Sequence, residues 1–291
     1  MAQRRAMMTA ALRDQGELTN ADQVARFAGA VESKCARVLD IDSVYESEWL
    51  KGARVLVTGA NRGIGLSLCQ EAAARGAHVI GACRKTSPDL DACAAQVIEG
   101  VEVTDIDSCT AMAQALSGQE PIDVLVNNAG YFPDCADDLT TPNWEENLKQ
   151  YDICAVGPLR VTHALLKAGA IKAPGGKVIM ITSQGGSVTW RQVQNGNTGG
   201  DYGHHMGKAA ANMCGALMAE ELRPKGIAVA NLHPGFNRTA MTKKYEAIWD
   251  IEGAVEQEVG AKRVWHEVGR VELVEQGCPF VNCEDGLEIP Y

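Results

Sequence analysis

Short apolar runs with the character of strands alternate with helical patterns along most of the chain. The runs lie at 54–58, 78–82, 97–103, 122–126, 177–182 and 227–231. Each is separated from the next by room for one helix, and continuous apolar runs are typical of strands that are buried on both faces. Parallel strands joined by crossover helices have this order along the chain. The sequence therefore predicts an α/β fold built on a doubly wound parallel sheet.

The region before Lys51 has a helical pattern of its own. The stretch 19–22 offers capping residues, and apolar residues recur at spacings of three and four. These residues are Val24, Phe27, Ala28, Val31, Cys35 and Val38. We expect this face to pack against the main domain or a second subunit. The prediction is a helical N-terminal extension over 1–50 and a single domain over 51–291.

The charge balance argues against nucleic acid as a partner. Lys and Arg total 27 and Asp and Glu total 37, so the formal net charge is −10. A chain with this charge is repelled by phosphate backbones and by anionic membrane surfaces. No stretch approaches the roughly 20 apolar residues that span a bilayer. We therefore expect neither a nucleic-acid nor a membrane partner.

The ten cysteines have no Cys-x-x-Cys pair and no metal-ligand spacing. They predict reduced thiols, no metal site and a cytoplasmic location. Residues 1–13 hold three arginines and no acid, which is compatible with an organelle-targeting segment. A surface arm is the simpler interpretation because Asp14 and Glu17 follow directly.

A glycine-rich turn over 58–65 follows the first predicted strand and leads into a helix predicted over 66–75. Glycines at 59, 63 and 65 let the backbone approach a pyrophosphate, and the helix N-terminus supplies amides and a positive dipole. After the second strand the chain has Arg84 and Lys85. A protein that binds the ribose 2′-hydroxyl of NAD would have an acidic residue there, whereas the 2′-phosphate of NADP requires cations. Arg62, inside the glycine-rich turn, can reach the same 2′-phosphate. The pattern favours NADP over NAD.

Three motifs in this order resemble the short-chain dehydrogenase/reductase family. They are the turn 58–65, Asn127-Asn-Ala-Gly130, and His233-Pro-Gly235 with Thr239. The resemblance covers 51–291 and implies a Rossmann fold, NADP(H), a small carbonyl or alcohol substrate, and a homodimer or homotetramer. Segments 156–162 and 278–290 are similar to the C-factor-like carbonyl reductase branch.

The resemblance also implies which residues contact the cofactor. Residues of the turn would hold the pyrophosphate, 128–130 would border the adenine ribose, and the motif at 234–239 would line the nicotinamide. Glu102 stands where the family has an acid facing the adenine. The implied set is Gly59, Asn61, Arg62, Gly63, Ile64, Gly65, Arg84, Glu102, Asn128, Ala129, Gly130, Lys208, Pro234, Gly235 and Thr239.

The family's chemistry uses a serine, a tyrosine, a lysine and an asparagine, and this chain matches two of them. Ser183 and Lys208 occupy the serine and lysine positions. The tyrosine belongs four residues before the lysine, on the same helix face, and that position is His204. Tyr202 lies six residues before the lysine, and Cys154 replaces the asparagine. The proton relay is therefore expected to be broken.

Two functions follow from this pattern. The first is an NADPH-dependent carbonyl reductase in which Ser183 orients the oxygen and His204 or Tyr202 supplies the proton. The second is a non-catalytic NADP-binding protein that acts as a sensor, scaffold or assembly subunit.

His205 is expected to face solvent. The loop 185–203 and a lid over 241–251, with Trp190, Tyr245 and Trp249, suggest an apolar or aromatic ligand.

Overall fold

The computed structural model describes residues 18–135, 137–194 and 198–291. Its strands are β1 (Arg54–Thr58), β2 (His78–Ala82), β3 (Gln96–Ile98), β4 (Val124–Asn127), β5 (Lys177–Ile181), β6 (Ala228–His233), β7 (Asn237–Arg238), β8 (Val255–Glu256) and β9 (Phe280–Asn282). Seven of them form a parallel sheet in the order β3-β2-β1-β4-β5-β6-β9. The order reverses between β1 and β4, and a doubly wound sheet opens a crevice at that point. The predicted Rossmann fold is confirmed.

Helices cover both faces of the sheet. They are α1 (Gln23–Glu32), α2 (Ala36–Leu39), α3 (Gly63–Ala74), α4 (Pro88–Cys93), α5 (Ile106–Ala115), α6 (Trp144–Tyr151), α7 (Gly157–Lys167), α8 (Tyr202–Leu222) and α9 (Gln257–Arg270). A π-helix (Asp152–Val156) joins α6 to α7. Short 3-10 helices occupy Ile41–Ser43, Glu48–Leu50, Gln184–Gly186, Thr189–Gln192, Arg223–Lys225 and Ala240–Ile248.

The hydrophobic core has two halves because successive strand residues point to opposite faces. Leu56 of β1 faces a cluster that includes Met112 of α5 and Leu165 of α7. Its neighbour Val55 faces the other cluster, which includes Leu68 of α3 and Trp265 of α9. All six side chains are buried. The strands are therefore anchored from both sides, and their carboxyl ends are fixed along one edge.

The predicted strands are present, with changed ends. β3 ends at Ile98 rather than at 103, because the chain turns at Gly100, whose φ is +74°. The run at 122–126 forms β4 from Val124 to Asn127. Strand β9 was missed, because its three residues lie in a stretch dominated by polar and turn-forming residues.

The N-terminal region is helical, but the predicted apolar face is only partly correct, since Phe27, Cys35 and Val38 are half-buried and the other three residues are exposed. Val24 is 45% exposed and Val31 is 51% exposed, whereas Arg26 and Arg37 are buried. Asp22 caps α1 by accepting a hydrogen bond from the Ala25 N–H, as a capping residue should. Arg26 of α1 and Arg37 of α2 are buried because each pairs with a carboxylate on the main body of the protein.

None of the helices in the described part of the chain is long and apolar enough to cross a membrane. The possible targeting segment at 1–13 lies outside the described residues.

Candidate active site

The glycine-rich turn leaves room for a ligand at the start of α3. Gly63 has a φ of +57°, and a Cβ added there would meet no atom within 4 Å. A Cβ on Gly65 would lie 2.3 Å from the Gly59 carbonyl oxygen, so only glycine fits the inner side of the turn. Arg62 occupies the N-cap position and makes no side-chain capping bond. The first amides of α3 are thus available to an anion.

Cations lie beside this turn at the end of β2. Arg62 and Arg84 are both exposed. Arg84 approaches Glu102, with 3.6 Å between Nη1 and Oε2. Asn61 donates from Nδ2 to the Lys85 carbonyl at 2.9 Å and so ties the turn to the β2 loop. Ile64 follows in α3 and is half-buried against the core.

The segment after β4 is bonded to the turn. Thr58 Oγ1 accepts hydrogen bonds from the backbone N–H groups of Asn128 and Ala129, both at 3.0 Å. Asn128 Nδ2 donates to the Thr58 carbonyl at 2.9 Å. The side chain of Asn128 therefore shapes the glycine-rich turn, while 128–130 remain partly exposed. The two motifs form one wall of the crevice.

Ser183 and Lys208 meet at the end of β5. Ser183 Oγ accepts a hydrogen bond from the Gly185 N–H at 3.0 Å. Lys208 Nζ donates to the Ile181 carbonyl at 3.2 Å. Among the described residues, the Ser183 hydroxyl proton has no acceptor. A serine hydroxyl can both accept and donate, so this proton is available to a substrate oxygen.

His204 belongs to the first turn of α8 and lies beside the loop that follows Ser183. It precedes Lys208 by four residues, which places both on one helix face. A Cβ on Gly185 would lie 3.3 Å from His204 Nε2, so the imidazole borders the loop that follows Ser183. Helix α8 is regular from Tyr202 onward, and no bulge brings the Tyr202 side chain onto this face.

The His204 imidazole is kept neutral. Burial is the largest cause, and the positive charge of Lys208 is the second; together they hold the pKa of His204 well below its ordinary value. Phe132 stacks on the ring, with 4.3 Å between centroids. Lys244 Nζ lies 3.6 Å from the Phe132 ring centroid. Phe132 thus contacts both the imidazole and a second cation, and the charge of Lys244 also lowers the pKa of His204.

Phe132 was not predicted as a site residue. The only signal in the sequence is that it follows the Asn127-Asn-Ala-Gly130 motif by two positions. Its ring also lies 6.4 Å from the ring of Tyr245, which belongs to the predicted lid. The lid region folds as a 3-10 helix (Ala240–Ile248) and reaches α8 through a bond from Tyr245 Oη to Asp201 Oδ2 at 3.4 Å.

Asp137 is a second residue that the motifs missed. Its carboxylate accepts hydrogen bonds from the Gly203 N–H at 2.9 Å, the Asn143 N–H at 3.2 Å and Asn147 Nδ2 at 3.1 Å. Burial opposes ionisation, but these bonds outweigh it and lower the pKa of Asp137 below its ordinary value. Asp137 therefore fixes the start of α8, one residue before His204.

Cys154 lies in the π-helix between α6 and α7. Its side chain is buried, and Sγ is 3.8 Å from the Tyr131 carbonyl oxygen. A thiol is a weak donor and acceptor, and burial leaves it little access to water. The expected break in the asparagine-dependent relay remains a prediction.

The motif after β6 is held by hydrogen bonds within its own turn. Asn237 Nδ2 donates to the carbonyls of Pro234, at 3.1 Å, and Gly235, at 2.9 Å. Thr239 opens the lid helix through a reciprocal bond with Thr242. These bonds fix the backbone of 234–239 beside the site.

Two expectations for neighbouring side chains are wrong. His205 is half-buried rather than solvent-facing, because Nδ1 lies 2.7 Å from the Gly185 carbonyl and Arg191 Nη1 lies 2.9 Å from Nε2. Trp190 packs in a core cluster with Phe280 and Ile289. It therefore supplies no evidence for an aromatic ligand.

The motifs match a known family over most of the chain. A sequence model described as short chain dehydrogenase matches residues 53–248. The chain is 35% identical over 195 residues to 1-hydroxy-2-glutathionyl-2-methyl-3-butene dehydrogenase of Rhodococcus sp. (strain AD45), covering 66% of this chain and 80% of the relative. It is 40% identical over 126 residues to C-signal of Myxococcus xanthus, covering 42% of this chain and 69% of that protein.

The fold also matches solved structures. An NADPH-bound carbonyl reductase from chicken fatty liver superposes with a TM-score of 0.65 at 23% identity, covering 83% of this chain and all of the other. At that identity the match bears on the fold alone.

Proposed function

This chain belongs to the short-chain dehydrogenase/reductase family of oxidoreductases, and from that premise we propose that it is an NADPH-dependent carbonyl reductase in which His204 replaces the tyrosine acid. The observation that carries the proposal is the grouping of His204 with Ser183 and Lys208 at the end of β5. The preference for His204 over Tyr202 rests on the regular start of α8.

The crevice fits NADPH in two respects. The turn at 58–65 leaves open space and unbonded amides for a pyrophosphate. Arg62 and Arg84 supply cations for a 2′-phosphate. The adenosine side of the site would be completed by Asn61, Ile64, Glu102, Asn128, Ala129 and Gly130. The nicotinamide side would be lined by Pro234, Gly235 and Thr239.

The chain's own residues would hold and protonate the substrate. When bound, NADPH supplies a hydride to the carbonyl carbon. The Ser183 hydroxyl donates a hydrogen bond to the carbonyl oxygen, and protonated His204 gives that oxygen its proton, which yields the alcohol. Lys208 retains two protons beyond its bond to Ile181 and would hold the ribose.

The pH dependence of turnover tests this role. Because the pKa of His204 is lowered, only a small fraction of the imidazole is protonated near neutrality. If that fraction donates the proton, kcat/KM falls about tenfold for each unit of rising pH above the His204 pKa. The measurement is the loss of 340 nm absorbance with a panel of aldehydes, ketones and quinones between about pH 6 and pH 8.

Variants at position 204 supply the controls. We expect His204→Ala to lower kcat/KM and abolish its pH dependence while NADPH fluorescence still reports binding. We expect His204→Tyr to raise turnover at pH 8. A pH-independent wild type, or a His204→Ala protein as active as the wild type, would contradict the assignment.

A non-catalytic NADP-binding protein is the second candidate, and the neutral imidazole favours it because neutral imidazole is a weak acid. Tight NADPH binding without turnover on any carbonyl would support it.

We also propose that the chain forms a homodimer or homotetramer. Helix α6 packs beside α8, and both helices expose large apolar side chains, among them Trp144 (72%), Leu148 (70%), Met213 (59%) and Leu217 (57%). A monomer in analytical ultracentrifugation at micromolar concentration would contradict this assembly.

A further inference from the structure

Helix α1 buries a guanidinium where a helix of this kind would ordinarily bury apolar side chains. Arg26 is 7% exposed, although Val24 and Val31 on the same helix face solvent. A buried charge is costly unless it is paired and fully hydrogen-bonded. The partners of Arg26 therefore explain the position of the helix.

Arg26 joins two segments that are far apart in the sequence. Its Nε donates to Glu284 Oε2 at 3.0 Å, and Nη2 donates to Gln184 Oε1 at 2.9 Å. Gln23, one turn earlier, donates to Glu284 Oε1 at 3.1 Å and accepts from Gln184 Nε2 at 3.2 Å. One face of α1 thus holds both segments at once.

The first segment carries Ser183. Gln184 is the next residue, and it opens the 3-10 helix (Gln184–Gly186) whose Gly185 N–H bonds to Ser183 Oγ. The bonds from Arg26 and Gln23 to the Gln184 amide hold the side chain at the top of this turn. A shift of Gln184 would therefore move the backbone that places the Ser183 hydroxyl.

The second segment supports the motif after β6. Glu284 Oε1 accepts a hydrogen bond from the Phe236 N–H at 3.0 Å. A Cβ on Gly235 would lie 2.6 Å from Glu284 Cγ, so the carboxylate side chain packs directly on this turn. Burial opposes ionisation of the Glu284 carboxyl. Nearby positive charges, of which Arg26 has the largest effect, outweigh the burial and lower the pKa of Glu284 to about 2.

We infer that Arg26 is a positioning residue of the active site, fixing the Ser183 turn and the 234–236 turn relative to each other through Gln184 and Glu284. The extension is then part of the reductase site rather than an appendage. This inference rests on the proposed function for its kinetic consequence, while its structural consequence can be measured without turnover.

The chain offers a matched control in Arg37 of α2. Arg37 is as buried as Arg26 and pairs with Glu267 at 3.0 Å and with the Cys283 carbonyl at 2.7 Å. Within the described part of the chain, its hydrogen bonds go to Glu267 and to the carbonyls of Arg263 and Cys283, none of which is a candidate site residue. Loss of Arg37 removes a buried ion pair of the same kind but leaves the Gln184 and Phe236 contacts in place.

The experiment compares Arg26→Ala, Arg26→Lys and Arg37→Ala in the full chain. Amide hydrogen exchange is followed at 184–187 and 235–238, and kcat and KM are measured for the best carbonyl of the panel. We expect Arg26→Ala to exchange on the order of tenfold faster in both segments and to lower kcat on the order of 10-fold to 100-fold. Millimolar guanidinium is expected to restore part of kcat, and Arg26→Lys to lie between wild type and Arg26→Ala.

Arg37→Ala is expected to lower the unfolding midpoint while leaving both segments and kcat as in the wild type. If Arg26→Ala behaves as Arg37→Ala does, Arg26 has a structural role only and the inference is overturned. If the wild type turns over no carbonyl, the proposed function fails, but the exchange rates still decide whether Arg26 holds the two turns.

Discussion

At the scale of single residues, we expect exposed cations at the glycine-rich turn and at the end of β2 to set the choice of cofactor. Arg62 in the glycine-rich turn and Arg84 after β2 are both exposed, and Arg84 Nη1 lies 3.6 Å from Glu102 Oε2. An exposed pair at this distance contributes little energy, so Arg84 is free to turn toward a phosphate. Selectivity for NADPH would then come from two cations rather than from a shaped pocket.

We predict that Arg84→Ala raises the Kd for NADPH on the order of 10-fold to 100-fold and leaves the Kd for NADH unchanged. The reason is that a charge-assisted hydrogen bond to the 2′-phosphate contributes about 1.5–3 kcal/mol and NADH lacks that group. Fluorescence titration with both nucleotides measures it. Arg75→Ala, at the exposed end of α3, is the control; an equal loss of affinity for both nucleotides would refute a 2′-phosphate contact.

At the residue scale the sequence identified the motifs but not the groups that surround them. Ser183, His204 and Lys208 were assigned through the family resemblance, from their positions after the fifth strand and relative to each other. Phe132 and Asp137 belong to a connection without periodicity, and their contacts with His204 and Gly203 depend on how that connection folds back. No local pattern encodes such a contact.

At the scale of elements, the start of α8 depends on a carboxylate from another segment. Asp201 occupies the N-cap with a φ of +48° and makes no side-chain capping bond. Asp137 takes over that function through the Gly203 N–H. The connection after β4 therefore fixes the position of the helix that carries His204 and Lys208.

We predict that Asp137→Ala destabilises the protein by about 1–3 kcal/mol, because three buried donors lose their acceptor. We also expect a lower kcat, since His204 lies one residue beyond the capped amide. Urea unfolding and the carbonyl assay measure the two effects. Asp138→Ala is the control, because the Asp138 carboxylate is exposed and bonds only within its own turn; an equal effect there would argue against a capping role.

The strands were predicted more accurately than the extension, for a physical reason. A strand buried on both faces must be apolar throughout, so its position is visible in the sequence. Helix α1 packs through Arg26, whose burial depends on Glu284 some 258 residues away. An apolar pattern cannot predict that face, and it identified Val24 and Val31 instead.

At the scale of the whole molecule, buried histidines couple stability to pH. His233 at the end of β6 is buried, and neither ring nitrogen has a hydrogen-bond partner among the described residues. Burial is the main cause that lowers the pKa of His233 to about 4. The unfolded chain binds this proton near pH 6.5, so the stabilisation is present above that pH and is lost as the pH falls toward 4.

We predict that wild type loses about 2 kcal/mol more unfolding free energy than His233→Leu between pH 7 and pH 5, because the variant has no imidazole to protonate on unfolding. Urea denaturation at the two pH values measures the difference. His163→Gln, at an exposed site on α7, is expected to follow the wild type. Parallel losses in wild type and His233→Leu would exclude His233 as a source of the acid sensitivity.

The contacts of Arg26 with Gln184 and Glu284 also limit when the protein can complete its folding during translation. Gln184 follows it by 158 residues and Glu284 by 258, so α1 leaves the ribosome long before either partner exists. Until then the Arg26 guanidinium has neither of these partners and stays hydrated. Contacts of such long sequence separation form slowly and leave intermediates exposed to aggregation. The nascent chain should therefore depend on chaperones until its last strand has been made.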